Sequence, residues 1–263
     1  MTHHSGALPN EHAFAPFVRI LGKGQKGSRD LTEQEANDAM KMILTGQVES
    51  VQLGAFLMLM RVKEETPEEL VGFVKAAREV VAPTSSISVD LDWSSYAGKR
   101  RHYPWYLFSA LLLAQNGVRV LMHGSAGHTA ERIYTEDALK YLGLPTAQSW
   151  TDVTQQLEQY CFSYFPLQAL CPTLHEMIDL RKVLGLRSPV HTLARLLNPA
   201  NAPAVMQGIF HPGYRPVHQL AAQSLGYKRV AVIKGEAGET ERNPDSECLV
   251  QSVINGELHD EVW

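Results

Sequence analysis

Hydrophobic positions recur at helical spacing through the first third of the chain. Between residues 32 and 81 they fall three or four positions apart, which predicts helices near residues 32–44, 53–62 and 66–81. Thr32 and Glu35 form a capping-box pattern, and Thr66 followed by Pro67 is typical of a helix start. A turn-rich stretch near residue 84 ends this unit, so we predict an all-helical domain over residues 1–84.

The pattern changes after residue 84 to short apolar segments that alternate with helical ones. Strands are predicted near residues 88–93, 118–122, 160–165, 206–210 and 229–234, with helices near residues 104–116, 131–142, 167–184 and 213–226. This alternation is typical of an α/β fold with a mainly parallel open sheet covered by helices. We therefore predict a larger α/β domain over residues 85–263.

Composition bounds the class of protein. The chain has 263 residues, of which 44% are hydrophobic and 20% charged, as in ordinary globular proteins. No apolar run approaches the ~20 residues that a membrane-spanning helix needs, and residues 1–6 lack the features of a signal peptide. Cys161, Cys171 and Cys248 are widely spaced, which predicts reduced thiols rather than a disulfide or zinc framework. We expect a cytoplasmic protein with no membrane partner.

Charge is distributed unevenly along the chain. Residues 95–235 carry 14 Lys or Arg against 7 Asp or Glu, whereas residues 236–263 carry 1 against 8. The net charge of −4 hides this segregation. A basic segment of this kind favours binding of a polyanion. The alternative is that its cations lie on unrelated faces or form ion pairs within the protein.

A basic loop follows the first predicted strand. Gly98 is followed by Lys99, Arg100, Arg101 and His102, at a position where open α/β sheets bind ligands. A loop that binds a small phosphate is usually rich in glycine, because backbone N–H groups must approach the anion. Bulky cations in this place favour an extended polyanion instead.

Glycines at positions 22, 24 and 27 match the spacing of a dinucleotide-binding loop. That loop needs a preceding strand and a βαβ unit, whereas helical patterns lie on both sides here. We interpret this stretch as a loop between helices. Its cations are secondary candidates for phosphate contacts: Lys23, Lys26 and Arg29.

Histidines and aromatic residues near the basic loop each allow two interpretations. His123 and His128 could ligate a metal, but no third ligand has suitable spacing, so we predict neither a metal site nor a cofactor. The aromatic residues at positions 103, 105, 106 and 108 are typical of a core. The alternative is that Tyr103 and Trp105 are exposed platforms on which bases stack.

Several segments resemble anthranilate phosphoribosyltransferase, a member of glycosyltransferase family 3. Residues 181–188 (RKVLGLRS) and 197–200 (LNPA) are similar to the family's RRELGIRT and TNPA segments. Residues 210–212 (FHP) and 117–124 (GVRVLMHG) are similar to its YHP and GVKVAKHG. The resemblance covers nearly the whole chain and implies a homodimer formed by the helical domain. Because the family continues with more strand and helix, it also implies that the chain is truncated at its carboxyl end.

The catalytic pattern of that family is not retained. Its pyrophosphate loop, GTGGDG, falls on residues 97–101 (AGKRR), and its phosphate-binding N-x-S-T group falls on Pro, Tyr and Leu at positions 104, 106 and 107. The lysine and asparagine of its KHGN segment fall on Met122 and Ser125. Thr240 replaces one acid of its magnesium-binding pair, and Glu241 keeps the other. Magnesium-bound pyrophosphate needs oxygen ligands and charge compensation together, so we expect no enzymatic turnover.

Lost catalytic residues combined with gained cations resemble the non-enzymatic, nucleic-acid-binding branch of the family, the YbiB-type proteins. This resemblance implies a homodimer that binds DNA or RNA, single strands in particular, with little sequence preference. The cations would line a groove in place of the phosphoribosyl pyrophosphate site. The residues assigned to this groove are Lys99, Arg100, Arg101, His102, His123, Arg132, Arg181, Lys182, Arg187 and Arg195. The alternatives are a phosphoribosyltransferase or nucleoside phosphorylase-like enzyme with altered substrate, and a scaffolding dimer.

Overall fold

The structure is a computed structural model that describes residues 8–24 and 26–263. The interpretation of residues 1–6 as free of a signal peptide lies outside this part. The helices are α1 (Ala15–Gly22), α2 (Glu33–Leu44), α3 (Ser50–Lys63), α4 (Pro67–Val81), α5 (Tyr106–Gln115), α6 (Thr135–Tyr141), α7 (Trp150–Tyr160), α8 (Leu167–Leu170), α9 (Pro172–Asp179), α10 (Arg181–Leu184), α11 (Val190–Leu193) and α12 (Tyr214–Ser224). The strands are β1 (Leu91–Ser95), β2 (Val120–Gly124), β3 (Phe162–Pro166), β4 (Ala204–Ile209), β5 (Arg229–Lys234), β6 (Leu249–Ile254) and β7 (Glu257–Val262).

Helices α1 to α4 form the N-terminal helical domain. The capping box predicted at the start of α2 is present, since Thr32 Oγ1 accepts from the backbone N–H of Glu35 and the Glu35 carboxylate accepts from that of Thr32. The second predicted start also forms a capping box, between Thr66 and Glu69. Apolar faces of these helices meet in a core where the rings of Phe56 and other aromatic residues pack edge to face.

The remaining elements form a seven-stranded sheet in the order β3-β2-β1-β4-β5-β6-β7. Strands β1 to β5 are parallel, and β6 and β7 are antiparallel to their neighbours. One face of the sheet packs against α5 and α6, and the other lies in a core shared with α4, α7, α9 and α12. This confirms the predicted fold class: a small helical domain and a larger α/β domain with a mainly parallel sheet.

The hairpin β6–β7 is absent from the sequence prediction. Its turn is Asn255-Gly256, and both residues have positive φ, 52° and 88°. Two positive φ angles are what a two-residue type I′ turn requires, and Asn-Gly is its strongest sequence signal. The Asn-Gly turn signal was therefore present in the sequence. The hairpin adds two antiparallel strands to the edge of the sheet.

Helix α7 is also absent from the prediction, although the Ser149 side chain caps its first turn.

Two predicted helices differ from the structure in their limits. The helix predicted over residues 167–184 is three short ones, because Pro172 lacks an N–H group and disfavours helical geometry at Cys171, whose φ is −153°. The helix predicted from residue 131 begins at Thr135, because Ile133 is held in a β-bridge with Lys99. Tertiary pairing thus overrides local propensity here.

Three further observations bear on the expectations from composition. Cys161, Cys171 and Cys248 are free cysteines in this structure. Within the residues that the structure describes, no helix is long and apolar enough to cross a membrane. Helix α4 ends at Val81 and β1 begins at Leu91, so the connection between the two domains lies between these residues.

Candidate active site

The candidate site lies where the strand order of the sheet reverses. Strand β1 pairs with β2 on one side and β4 on the other, so the sheet winds in opposite directions from this point. Ligands of open α/β sheets bind in the crevice outside the carboxyl ends of such strands. Three loops meet there: the loops after β1, β2 and β5, which contact one another through Ala97, Arg132 and Glu239.

The backbone N–H groups of the loop after β1 donate hydrogen bonds to a side-chain carboxylate of the protein. The N–H groups of Ala97 and Gly98 donate to Glu239 Oε1 over 2.6 and 2.7 Å. Gly98 has a φ of +66°, the left-handed geometry with which successive N–H groups form an anion-binding nest. Burial raises the pKa of Glu239, and the N–H of Gly98 and the charge of Arg195 partly offset this rise. The N–H groups of this loop are therefore already used by a carboxyl group of the protein.

Lys99 is buried completely in the same loop. Its Nζ lies 2.6 Å from Glu236 Oε2 and 2.6 Å from Glu241 Oε1. The other oxygen of Glu241 accepts from the backbone N–H of Tyr106 over 3.1 Å. A buried ammonium is tolerated only when it is paired in this way. Lys99 thus ties the loop after β1 to the loop after β5 and does not face a groove.

Four arginines, Arg132, Arg181, Arg187 and Arg195, converge beside this loop. Burial, together with the charges of the other three, lowers the pKa of Arg187 to about 10. Within residues 8–24 and 26–263, the Arg187 guanidinium forms no ion pair with a carboxylate. Like charges held together in a partly desolvated place repel one another. A bound anion would offset this repulsion.

Neutral acceptors orient the other three arginines. Arg132 Nη1 donates to the carbonyl oxygen of Ala97 over 2.6 Å, and Arg181 Nη1 donates to Thr129 Oγ1. Arg195 Nε donates to a backbone carbonyl oxygen over 2.9 Å. Because none of these acceptors carries a full charge, the positive charge of the cluster is held in place without being neutralised by them.

Two neutral histidines lie against the cluster. The rings of His128 and His191 are 5.3 Å apart, and each donates one N–H to a carbonyl oxygen, of Tyr96 and Ser188 respectively. Burial first, and the arginine charges as well, lower the pKa of His128 to about 4. Burial and His128 lower the pKa of His191 well below its usual value. Both rings are therefore uncharged at neutral pH.

Several buried polar atoms around the cluster lack a partner. Among the described residues, Arg132 Nε, Ser188 Oγ and His191 Nε2 have no hydrogen bond. Since Nδ1 of His191 carries the donated hydrogen, its Nε2 is an acceptor. Each unsatisfied buried atom costs about 1–3 kcal/mol. A ligand that offers acceptor oxygens together with a hydroxyl group would satisfy all three atoms.

Two concavities meet at Arg132 and Thr129. One, of about 410 Å³, is lined by Arg181 and His128, and the other, of about 830 Å³, is lined by Ser125 and polar residues of α6 and α9. A ligand could place an anionic group on the arginines and a hydroxylated part in the larger concavity. Guanidinium groups in such a place stabilise negative charge that develops on a leaving group.

The residues assigned from the sequence to one groove do not share one surface. Lys99 and His123 are fully buried, and His123 bonds to the Tyr96 hydroxyl over 2.7 Å and to Asp92 over 3.2 Å. Arg195 is also buried. The expectation that these three side chains face a ligand groove is therefore wrong. Burial of each is compensated by bonds within the protein.

Other assigned cations are exposed but paired or separate. Arg100 pairs with Glu131 over 3.0 Å, and Lys182 pairs with Asp179 over 2.9 Å. Arg101 and His102 are exposed and line a different concavity, formed with the loop after β5. Of the ten residues assigned to the groove, Arg100, Arg132, Arg181 and Lys182 line the concavity of about 410 Å³. Arg187 and Arg195 lie close enough to Arg132 and Arg181 to interact with them electrostatically.

The secondary candidates lie in two different loops, one in each domain. Lys23, Lys26 and Arg29 lie in the loop between α1 and α2, where Arg29 pairs with Glu35 over 2.7 Å. Tyr103 and Trp105 are more than half exposed, so the aromatic stripe is not mainly core. Its buried member, at position 106, bonds through its hydroxyl group to two hydroxyl side chains.

The sequence reasoning missed Glu239, Ser188 and His191. Glu239 lies 141 residues from Gly98 in the chain, and no spacing signal joins them. Ser188 and His191 follow the basic segment of α10 directly and could have been proposed as its polar neighbours. Their importance depends on burial, which local pattern does not reveal.

The residues present do not fit a magnesium ion. Magnesium prefers near-octahedral oxygen ligands, several of them carboxylates or substrate oxygens. Glu241 is engaged by Lys99, and Thr240 offers only a hydroxyl group. Among the described residues, no group of three or more His, Cys, Asp or Glu side chains is placed to hold a metal ion.

Buried histidines make stability dependent on pH. Burial lowers the pKa of His128 to about 4 and that of His218 to about 3, while unfolded histidine titrates near 6.5. Between these values the unfolded chain binds more protons, so stability falls as pH falls from about 6.5 towards 4. Each histidine contributes up to about 1.4 kcal/mol per pH unit in this pH range.

Urea unfolding at pH 7, 6 and 5 should show this loss of stability, and His128→Gln should lessen it. The exposed His102→Gln is the control, and equal slopes for the two variants would contradict the assignment.

Comparison with known proteins identifies the class of protein. Residues 16–81 match the helical bundle domain of a glycosyl transferase family, and residues 106–262 match the α/β domain of the same family. The chain belongs to glycosyl transferase family 3, the family that the motifs resembled.

Individual relatives agree with this membership. The chain is 28% identical over 233 residues to anthranilate phosphoribosyltransferase of Symbiobacterium thermophilum, covering 88% of this chain and 68% of the relative. It is 26% identical to the uncharacterized protein YbiB of Escherichia coli K12, covering 88% and 73%. The crystal structure of anthranilate phosphoribosyltransferase from Thermus thermophilus superposes with a TM-score of 0.79 at 25% identity, covering 95% of this chain and 73% of that one.

These findings correct the functional prediction from the sequence. The matched relatives and structures of assigned function are phosphoribosyltransferases, which favours the enzymatic alternative over sequence-independent DNA or RNA binding. YbiB is among the relatives, but it is itself uncharacterized, so this similarity does not show that the chain belongs to a non-enzymatic, nucleic-acid-binding branch. The physical reason for the error is that segregated charge along a chain does not imply a charged surface.

Proposed function

We propose that the protein is a phosphoribosyltransferase-like enzyme with altered substrate, which binds the anionic group of that substrate on Arg132, Arg181 and Arg187. The observation that carries this proposal is the arginine cluster, in which Arg187 is partly buried among like charges. Membership of glycosyl transferase family 3 supports the transferase class. The unpartnered atoms beside the cluster support a ligand that offers both oxygens and a hydroxyl group.

The altered substrate follows from what occupies the loop after β1. The resemblance assigns pyrophosphate to this loop and magnesium to the acids near residue 240. In this structure, however, the N–H groups of the loop donate to Glu239, and Lys99 forms an ion pair with Glu241. A pyrophosphate would have to displace a buried carboxylate from two short hydrogen bonds. The anionic group of the substrate, a phosphate or a carboxylate, is therefore assigned to the arginines.

Binding of small anions tests this proposal. Isothermal titration calorimetry without metal ions would use inorganic phosphate, ribose 5-phosphate, phosphoribosyl pyrophosphate and anthranilate as probes. Replacing Arg187 by alanine should weaken binding of the preferred probe about 10- to 100-fold, because a hydrogen bond to a charged group contributes about 1.5–3 kcal/mol. Lys228→Ala removes an exposed cation just before β5, at the opposite end of the strand from the site, and should leave affinity within about twofold.

Turnover assays complete the test. The probe that binds would be incubated with aromatic acids, nucleobases and nucleosides, and the products would be separated by chromatography. Glycosyl transfer or phosphorolysis that Arg187→Ala reduces, and Lys228→Ala does not, is the expected result. If no probe binds the wild-type protein, or if Arg187→Ala binds as well as wild type, the arginine cluster is not the substrate site.

The homodimer implied by the resemblance stays a prediction. Val51 and Val62 on α3 are 79% and 83% exposed, and they are apolar residues of the helical domain that a second copy could cover. Such a dimer would be symmetric, with the same surface used by both copies.

A further inference from the structure

Lys99 is unusual for a lysine, since its side chain is completely buried. Its ammonium lies between two carboxylates, 2.6 Å from an oxygen of Glu236 and 2.6 Å from an oxygen of Glu241. These two acids leave the same loop, after β5, and the lysine reaches them from the loop after β1. The arrangement is a cation held between carboxylate oxygens where the loops after β1 and β5 meet.

We infer that the Lys99 ammonium is a resident cation of the site, which occupies the place that a divalent metal ion would take between Glu236 and Glu241 and makes ligand binding independent of metal ions. Where it concerns the ligand, this inference deepens the proposed function and rests on it. The statement about the two carboxylates stands on their contacts with Lys99 alone.

Charge and space both argue for this role. Two carboxylates held near each other repel unless a cation lies between them, and Lys99 supplies one positive charge from within the chain. Its ammonium also donates one hydrogen bond to each acid, to oxygens that would otherwise need water or a metal ion. A metal ion at the same oxygens would have to displace a buried ammonium and leave it unpaired, which is strongly unfavourable. The lysine therefore excludes the metal.

Removal of Lys99 should convert the acid pair into a metal site. In Lys99→Ala the two carboxylates lose their cation, and Mn²⁺ or Mg²⁺ should bind there at least about tenfold more tightly than to wild type, because two neighbouring carboxylates repel each other when no cation lies between them. Mn²⁺ binding can be followed by electron paramagnetic resonance, and Mg²⁺ binding by a rise in melting temperature. Lys99→Met keeps the side-chain volume without the charge and should behave in the same way.

Lys63 offers a matched control. It also lies between two carboxylates, 2.6 Å from Asp30 and 2.7 Å from Glu69, but in the helical domain and with part of its side chain exposed. Lys63→Ala should gain no comparable metal binding, since Asp30 is largely exposed and Glu69 keeps its backbone N–H donors. An equal gain in Lys63→Ala would overturn the special role of Lys99.

Wild-type protein supplies a readout that does not depend on the stability of any variant. Inorganic phosphate and phosphoribosyl pyrophosphate should bind equally well in EDTA and in millimolar Mg²⁺. Affinity that rises at least about tenfold with Mg²⁺, or an Mn²⁺ signal from wild type that equals that of Lys99→Ala, would overturn the inference. If none of the four probes of the proposed function binds wild type, the proposed function fails, while the Mn²⁺ comparison still decides whether Lys99 is the resident cation.

Discussion

Replacing Gly235 by alanine is expected to lower the free energy of unfolding by about 3–5 kcal/mol. An alanine Cβ would lie 1.5 Å from the carbonyl oxygen of Glu239 and 2.7 Å from its carbonyl carbon. These are backbone atoms, so the clash cannot be relieved by rotating a side chain. Gly235 has a φ of −102°, which any residue adopts, so the whole effect comes from this contact. Urea unfolding followed by circular dichroism measures it.

A second glycine provides the control for that measurement. Gly54 lies inside α3, and no atom lies within 4 Å of an added Cβ. Gly54→Ala should therefore raise the free energy of unfolding by about 1 kcal/mol, because alanine is the better helix former. If Gly235→Ala unfolded at the same urea concentration as wild type, the close approach of the Glu239 backbone to Gly235 would be contradicted.

Replacing Glu239 by alanine is expected to destabilise the protein by about 3–5 kcal/mol. The change leaves two buried N–H groups, of Ala97 and Gly98, without an acceptor and removes the negative charge nearest to the buried Arg195. Glu239→Gln keeps an amide oxygen as acceptor, so its loss should be only about 1 kcal/mol. Thermal and urea unfolding of the two variants would separate hydrogen bonding from charge.

The same pair of variants tests whether the backbone N–H groups of the loop after β1 can bind an anion. Once Glu239 is alanine, the N–H groups of Ala97 and Gly98 are free to bind a phosphate oxygen. Inorganic phosphate should therefore stabilise Glu239→Ala more than wild type or Glu239→Gln. Equal stabilisation of all three proteins, or a Glu239→Ala variant as stable as Glu239→Gln, would mean that these hydrogen bonds are not important.

Much of the fold was predictable because its signals are local. Helical spacing and the capping boxes at Thr32 and Thr66 depend on residues three or four positions apart, and all five parallel strands appeared as apolar runs. The limits of predicted elements differ from the structure where residues distant in the chain pair with them, as Lys99 does with Ile133 before α6. The hairpin at Asn255 was a missed signal of the same local kind and was not hidden by tertiary structure.

The candidate site was predictable only in part. Arg181 and Arg187 were singled out from one basic segment, and they do reach one cluster with Arg132 and Arg195. The loop at Lys99 was correctly located at the carboxyl end of a strand, but the direction of its side chain was not predictable. Burial of a charged residue depends on its partners, and those partners come from elsewhere in the chain.

By itself, the sequence determined the helices α2 to α4, the five parallel strands, the family and the positions of the cations along the chain, because these follow from local spacing and from ordered motifs. Only the tertiary structure decided what the cations do. It folds the acidic segment after residue 235 back onto the basic loop, where Glu236 and Glu241 hold Lys99 and Glu239 holds the loop backbone. Electrostatic energy depends on distance in space and on burial, whereas a sequence records only distance along the chain.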